Sequence, residues 1–143
     1  RYGIIGVDES QRVHRDLNEF VSEIGPKVVK SLGSKKSCVI GVSGGGRLYG
    51  MALWKYLIRE RLDSKYQEFD AFEDVTKQLM SLKKENIEGR IIIAVDSAVY
   101  TGKTYNAFIK IIEKCRKHLK IKDVKLAADT DLVGIADFAR VTS

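Results

Sequence analysis

Two short stretches carry residue types suited to phosphate chemistry. One is Thr101-Gly102-Lys103-Thr104, which follows the apolar run Ile91–Val95, the carboxylate Asp96 and the linker Ser97-Ala98-Val99-Tyr100. The other is Ser43-Gly44-Gly45-Gly46-Arg47, which follows the β-prone run 37–42. Each reads as a buried strand, a glycine-rich loop and the start of a helix. A helix start presents unpaired N–H groups and a partial positive charge, both of which suit phosphate. Glycine lets the backbone approach a ligand closely and adopt positive φ. In an open parallel sheet both loops lie at the carboxyl ends of strands, where ligands bind.

Several motifs compete for these loops. A Walker A loop needs Gly-x4-Gly-Lys-Ser/Thr. Residues 97–104 match it except that Ser97 replaces the first Gly, while 41–48 has the glycines but places Arg47 and Leu48 where Lys and Ser/Thr belong. The Ser43–Gly46 stretch is also similar to the Ser-Gly-Gly-x-Asp-Ser loop of ATP pyrophosphatases, again with Arg47 and Leu48 out of pattern. Ordinary glycine turns of an α/β fold are the remaining alternative.

The elements around the loops follow from periodicity. Val13, Leu17, Phe20, Val21, Ile24 and Val28 recur at helical spacing after a cap at Ser10. Gly25-Pro26 is expected to kink or restart that helix, and Gly33 to end it. Residues 37–42 and 91–95 read as central parallel strands. Residues 47–62, 73–86 and 103–119 read as helices, the last with a stripe of Tyr105, Phe108, Ile109, Ile112, Cys115 and Leu119. Strands are expected at 66–72, 123–130 and 134–141, a short one or an entry segment at 2–9, and a turn at 88–90. Alternation of strands and helices places the chain in the α/β class, with a mostly parallel twisted sheet flanked by helices.

The 143 residues suit a single domain over 1–143, and 44% hydrophobic residues supply a core. No apolar run reaches the roughly 20 residues that span a bilayer, and no signal segment opens the chain. Cys38 and Cys115 have no metal spacing and read as buried thiols, pointing to a cytoplasmic protein. The net charge of +6 suits a phosphorylated ligand. The basic runs at 35–36, 83–84 and 114–122 are separate, which reads as solvated surface and argues against a nucleic-acid patch. His14 and His118 read as solvated helix residues, and Asp129 and Asp131 as solvated turn carboxylates with a site role as the alternative.

The sequence "EGRIIIAVDSAVYTGKT", apolar strand, acid, short linker and Thr-Gly-x-Thr, resembles the phosphoribosyl pyrophosphate (PRPP) motif of type I phosphoribosyltransferases. "VIGVSGGGRLYGMAL" at 39–53 is similar to that family's earlier strand and pyrophosphate loop, about fifty residues upstream. The resemblance covers roughly residues 10–140. It implies the type I phosphoribosyltransferase (Rossmann-like) fold with a small C-terminal hood. It also implies transfer of 5-phosphoribosyl from PRPP to a nucleobase, with release of pyrophosphate. Asp96 takes the place of the acid that positions the ribose. Ser97, Ala98, Val99, Tyr100, Thr101, Gly102, Lys103 and Thr104 take the place of the 5′-phosphate cradle. Ser43, Gly44, Gly45 and Gly46 take the place of the pyrophosphate loop, with Arg47 supplying charge. Magnesium (Mg2+) is implied as cofactor, held mainly by pyrophosphate and ribose oxygens.

Ser97 stands where many members have a second acid, Tyr100 where oxopurine-specific members have a proposed base, and Gly44 where Arg, Lys or Ala is common. No side chain is assigned as general base. "ADF" at 136–138 is similar to a segment of oxopurine enzymes and makes Phe138 a base-stacking candidate, with an ordinary core aromatic as the equal alternative. The family's mobile lid falls in 63–90, which here reads as helical or reduced. The partners implied are PRPP, pyrophosphate and a nucleobase or nucleotide; a homodimer is compatible with the reading. The alternative function is a phosphoribosyltransferase-like module that binds PRPP or a nucleotide without turnover, as sensor or regulator.

Overall fold

The computed structural model describes residues 16–70 and 82–142. The elements expected at 2–9 and 73–81, the cap at Ser10 and the side chains of Val13 and His14 lie outside the described residues.

The strongest apolar runs become the middle of one sheet. Strand β1 (Ser37–Val42) is buried along its whole length, and β3 (Ile91–Val99) is buried at every position except Asp96 and Ala98, which are half-buried. Strands β2 (Ser64–Phe69), β4 (Asp123–Asp131) and β5 (Phe138–Thr142) complete a five-stranded sheet of order β2-β1-β3-β4-β5. All pairings are parallel. Successive side chains point to opposite faces of a strand. Cys38, Ile40, Val42, Ile92 and Ala94 therefore meet Tyr105, Phe108 and Ile112 on one face. Val39, Ile91, Ile93 and Val95 meet Phe20, Ile24, Tyr49 and Leu53 on the other. Burial on both faces is why these strands read as continuous apolar runs rather than alternating ones.

Helix α1 (Leu17–Leu32) starts at Asp16, whose carboxylate accepts from the Glu19 N–H at 3.0 Å. It does not restart at Gly25-Pro26 but runs through Pro26 to Leu32. The buried stripe Phe20, Ile24, Val28 and Leu32 holds both halves against the sheet, which offsets the hydrogen bond that proline removes. Helix α2 (Ser43–Arg59) begins directly after β1, four residues earlier than its periodicity predicts. A short helix α3 (Lys84–Ile87) precedes the turn at Gly89, and α4 (Lys103–Leu119) has the bounds its pattern predicts. The Tyr105 hydroxyl donates to the Ala127 carbonyl at 2.6 Å and ties α4 to β4.

Further expectations change. Strand β3 runs to Val99 rather than stopping at Val95. The segment 134–141 divides between a loop and β5, which begins only at Phe138. Cys38 is buried, and burial pushes its thiol up to about 12, but Cys115 is only half-buried on α4. Asp129 and Asp131 are not solvated turn residues: both end β4 at 1% exposure. His118 is exposed, as read. No helix among the described residues is long and apolar enough to cross a membrane.

Asp129 meets Arg140 of β5 at 3.2 Å, and Arg140 also pairs with Glu19 and Glu23 of α1. The Arg140 side chain is 5% exposed, so its loss removes a buried guanidinium from the Asp129 carboxylate and from Glu19 and Glu23. Arg140→Ala should lower the unfolding free energy by about 3 kcal/mol. Urea denaturation measures it; a change within about 0.5 kcal/mol, as for a neutral surface site, contradicts the role.

Candidate functional site at the β1–β3 crevice

The chain runs outward from β1 to β2 and returns across β1 to β3, so the strand order reverses between β1 and β3. Such a switch point opens a crevice beyond the carboxyl ends of the two strands. Both glycine-bearing stretches of the sequence lie there. The second follows β3 as the loop 100–102, and α4 starts at Lys103. The first is not a loop: Ser43, Gly44, Gly45, Gly46 and Arg47 form the opening of α2.

This opening turn presses on the end of β3. A Cβ on Gly45 would come within 2.3 Å of Ser97 Oγ and 3.3 Å of Asp96 Oδ1. One on Gly46 would stand 2.2 Å from the Val95 carbonyl oxygen. A Cβ on Gly44 would meet nothing within 4 Å. Gly45 and Gly46 are thus required by packing, whereas Gly44 borders open space.

The long helices differ in how they are capped. Helix α1 has its Asp16 carboxylate, whereas the N-cap residues of α2 and α4, Val42 and Gly102, have no side chain that caps. First-turn N–H groups have no acceptor within their helix. Among the described residues, the two helices flanking the switch point therefore keep positive dipole ends and first-turn donors other than the Lys103 N–H. Gly102 caps α4 at φ 82°, and the Lys103 N–H meets Thr101 Oγ1 at 3.3 Å. Thr101, Lys103 and Tyr100 are exposed, and Thr104 is half-buried. Ser97, Ala98 and Val99, expected in the loop, belong to strand β3. Arg47 is engaged by Glu68 of β2 at 3.2 Å.

Asp96 stands between these helix starts. Burial pushes its carboxyl up to about 7, against hydrogen bonds from Ser97 that pull it down; the Ser97 N–H lies 2.7 Å from Oδ1. It is a half-buried acid poised to ionise when a hydrogen-bond donor arrives. Among the described residues no group of three or more His, Cys, Asp or Glu is placed to hold a metal. Asp96 is the carboxylate that touches the α2 turn, so a divalent ion fits here only if a ligand brings most of its oxygens.

Sequence reasoning placed the hood in the C-terminal segment but singled out Phe138 rather than the loop before it. The loop 132–137 is folded by Asp131, whose carboxylate accepts from the N–H groups of Val133, Gly134 and Ala136 at 3.2, 2.9 and 2.8 Å. The Leu132 N–H reaches the Val99 carbonyl at 2.9 Å, setting this loop beside the 100–102 loop. Leu132, Val133, Ile135 and Tyr100 are left 37–49% exposed. A run of apolar residues ending in an exposed loop was the available signal. Phe138 lies elsewhere: it opens β5 opposite Ala127 and packs on the α1–α2 side of the core.

Solved structures with the same arrangement exist. An HGPRT-ase from Leishmania tarentolae, in complex with GMP, matches 89% of this chain and 76% of its own at a TM-score of 0.66 and 14% identity. A hypoxanthine phosphoribosyltransferase from Staphylococcus aureus matches 89% of this chain and 72% of its own, at 0.63 and 14%. The chain has the type I phosphoribosyltransferase fold. A hypoxanthine-guanine-xanthine phosphoribosyltransferase matches 89% and 73%, at 0.63 and 17% identity. No protein-family model matches the sequence, and no curated protein sequence does. Within the phosphoribosyltransferase fold, the sequence departures Ser97 and Tyr100 fall on the end of β3 and on the exposed loop after it.

Two predictions follow from this packing. Gly46→Ala should cost about 1–3 kcal/mol because backbone opposes the new methyl, whereas Gly44→Ala should be neutral or stabilising by up to about 1 kcal/mol. Equal effects in chemical denaturation contradict the close approach. The second concerns Asp96. Its pKa is raised from 3.8 to about 7 on folding, so the folded state binds the extra proton between those values. Wild-type stability should therefore fall as pH rises through that window and level off above it. Asp96→Asn should match wild type near the lower bound and exceed it near the upper one. A pH-independent difference contradicts the burial of this acid.

Proposed function

We propose that the chain binds PRPP in the β1–β3 crevice and transfers its 5-phosphoribosyl group to a nucleobase, releasing pyrophosphate. The observation that carries the reading is the pair of helix starts at the switch point whose N-cap residues offer no capping side chain, with Asp96 against the first of them and at the end of the strand that leads to the second. Two anionic groups separated by a sugar match two donor sites separated by a carboxylate. The Thr101–Thr104 N–H groups and the Thr101 and Thr104 hydroxyls would hold the 5′-phosphate. The opening turn of α2, with Gly44 leaving space, would hold pyrophosphate, and Asp96 would accept from the ribose hydroxyls. Magnesium would arrive on the pyrophosphate and ribose oxygens, as hard oxygen ligands favour. The base would rest on the apolar rim of Tyr100, Leu132, Val133 and Ile135, rather than on Phe138.

In the reaction, the bond from the anomeric carbon to pyrophosphate breaks and a bond to a base nitrogen forms. That nitrogen's proton leaves to solvent or to pyrophosphate. Catalysis would rest on alignment and on N–H groups that stabilise the charge developing on pyrophosphate. A cytoplasmic setting suits such a reaction.

A second reading has its own observation. Tyr100 is an exposed phenol where oxopurine enzymes of this fold family carry an acid, and buried Ser97 replaces a second carboxylate. Both favour a module that binds PRPP or a nucleotide as a sensor. Calorimetry with PRPP and magnesium tests the shared claim, and Asp96→Ala should weaken binding about ten- to a hundredfold. Absence of binding at millimolar PRPP would sink both readings. A pyrophosphate-release assay across adenine, guanine, hypoxanthine, xanthine, uracil and orotate then separates them. Release with one base supports transfer; binding without release supports the module.

A further inference from the structure

The opposite edge of the sheet carries a second concave feature that the crevice does not use. Lys35 and Lys36, before β1, and Lys122 and Lys125, at the start of β4, are far apart in sequence and read there as separate solvated runs. The fold brings all four around one cavity of about 740 Å³ at the amino-terminal edge. Ser31 and Ser34 add hydroxyls, and Asp123 is the one carboxylate in its lining.

Existing ion pairs account for part of this charge. Lys36 reaches Asp63 at 3.9 Å and Lys125 reaches Asp123 at 3.5 Å. Lys35 and Lys122 form no ion pair among the described residues. The α1 carboxyl end attracts cations, but that effect fades within a turn, and Lys122 and Lys125 come from another element. Lys35 and Lys122 therefore add two positive charges to the cavity that Asp63 and Asp123 do not pair, a balance that favours an anion there. Among the described residues no aromatic side chain lines the cavity, so none of them would stack on a base there.

We propose that this cavity is a second anion site, which takes a compact, multiply charged phosphate chain by its charge alone. It is distinct from the Asp96 crevice, which lies at the other end of the same strands. Occupying it would neutralise the junctions before β1, β3 and β4.

The test is a two-dimensional amide NMR titration of the full chain with inorganic tripolyphosphate at physiological ionic strength. The amides of Ser34, Lys35, Gly89 and Lys122 should shift saturably, as a set separate from those of Thr101–Thr104. In the double variant Lys35→Gln/Lys122→Gln, with a spectrum otherwise superimposable on wild type, the first set should bind about tenfold more weakly. The second set should be unchanged. ATP should bind this cavity no more tightly than tripolyphosphate. No shift in the first set, an unchanged affinity in the variant, or a tenfold preference for ATP overturns the proposal. Loss of the Thr101–Thr104 set alone would count against the PRPP reading and leave this one standing.

Discussion

The arrangement depends on one close approach, that of the opening turn of α2 to the end of β3. Gly46 lies so near the Val95 carbonyl, and Gly45 so near Ser97 and Asp96, that neither position has room for a methyl group. This contact makes the two phosphate-like stretches parts of one crevice. It also covers part of Asp96, whose carboxyl burial raises to about 7. A looser packing would leave two separate helix starts and an ordinary solvated acid.

Both ends of the parallel strands are positively biased, but in different ways. At the carboxyl ends the bias comes from backbone N–H groups of uncapped helices, which are fixed in direction and lie close to a titratable acid. At the amino-terminal edge it comes from the ammonium groups of lysines, two of them in ion pairs with Asp63 and Asp123. The first arrangement suits a ligand recognised by shape, with phosphates at set spacing; the second suits charge without geometry. The buried Arg140–Asp129 pair and the Asp131 cage fix the β4–β5 side, so the loop beside the crevice is built on rigid supports.

Much of this was legible in the sequence because it rests on local pattern. The runs 37–42 and 91–95 announced central strands, the stripe of 103–119 announced its helix, and Asp96 before Thr-Gly-Lys-Thr pointed to the candidate site. The misreadings have physical causes. Gly44–Gly46 looked like a loop because glycine disfavours helix, yet here close approach to β3 favours it at Gly45 and demands it at Gly46. Strand β3 runs past Asp96 because β4 offers partners through Asp131. Asp129 and Asp131 looked solvated because their partners, Arg140 and three loop N–H groups, come together only on folding. Helix α1 survives Pro26 because its apolar stripe outweighs one lost hydrogen bond. The apolar rim at 132–135 could not be assigned before the register of β4 beside β3 was known.

The central claim is that Asp96 contacts the ribose of a bound phosphoribosyl ligand. Carbon-13 NMR of the labelled Asp96 side-chain carboxyl, titrated with and without magnesium and PRPP, tests it most directly. The free protein should show a midpoint at about 7. With ligand bound, ribose hydroxyls donating to the carboxylate should move the midpoint well below that value. A midpoint unchanged at saturating PRPP would contradict the account.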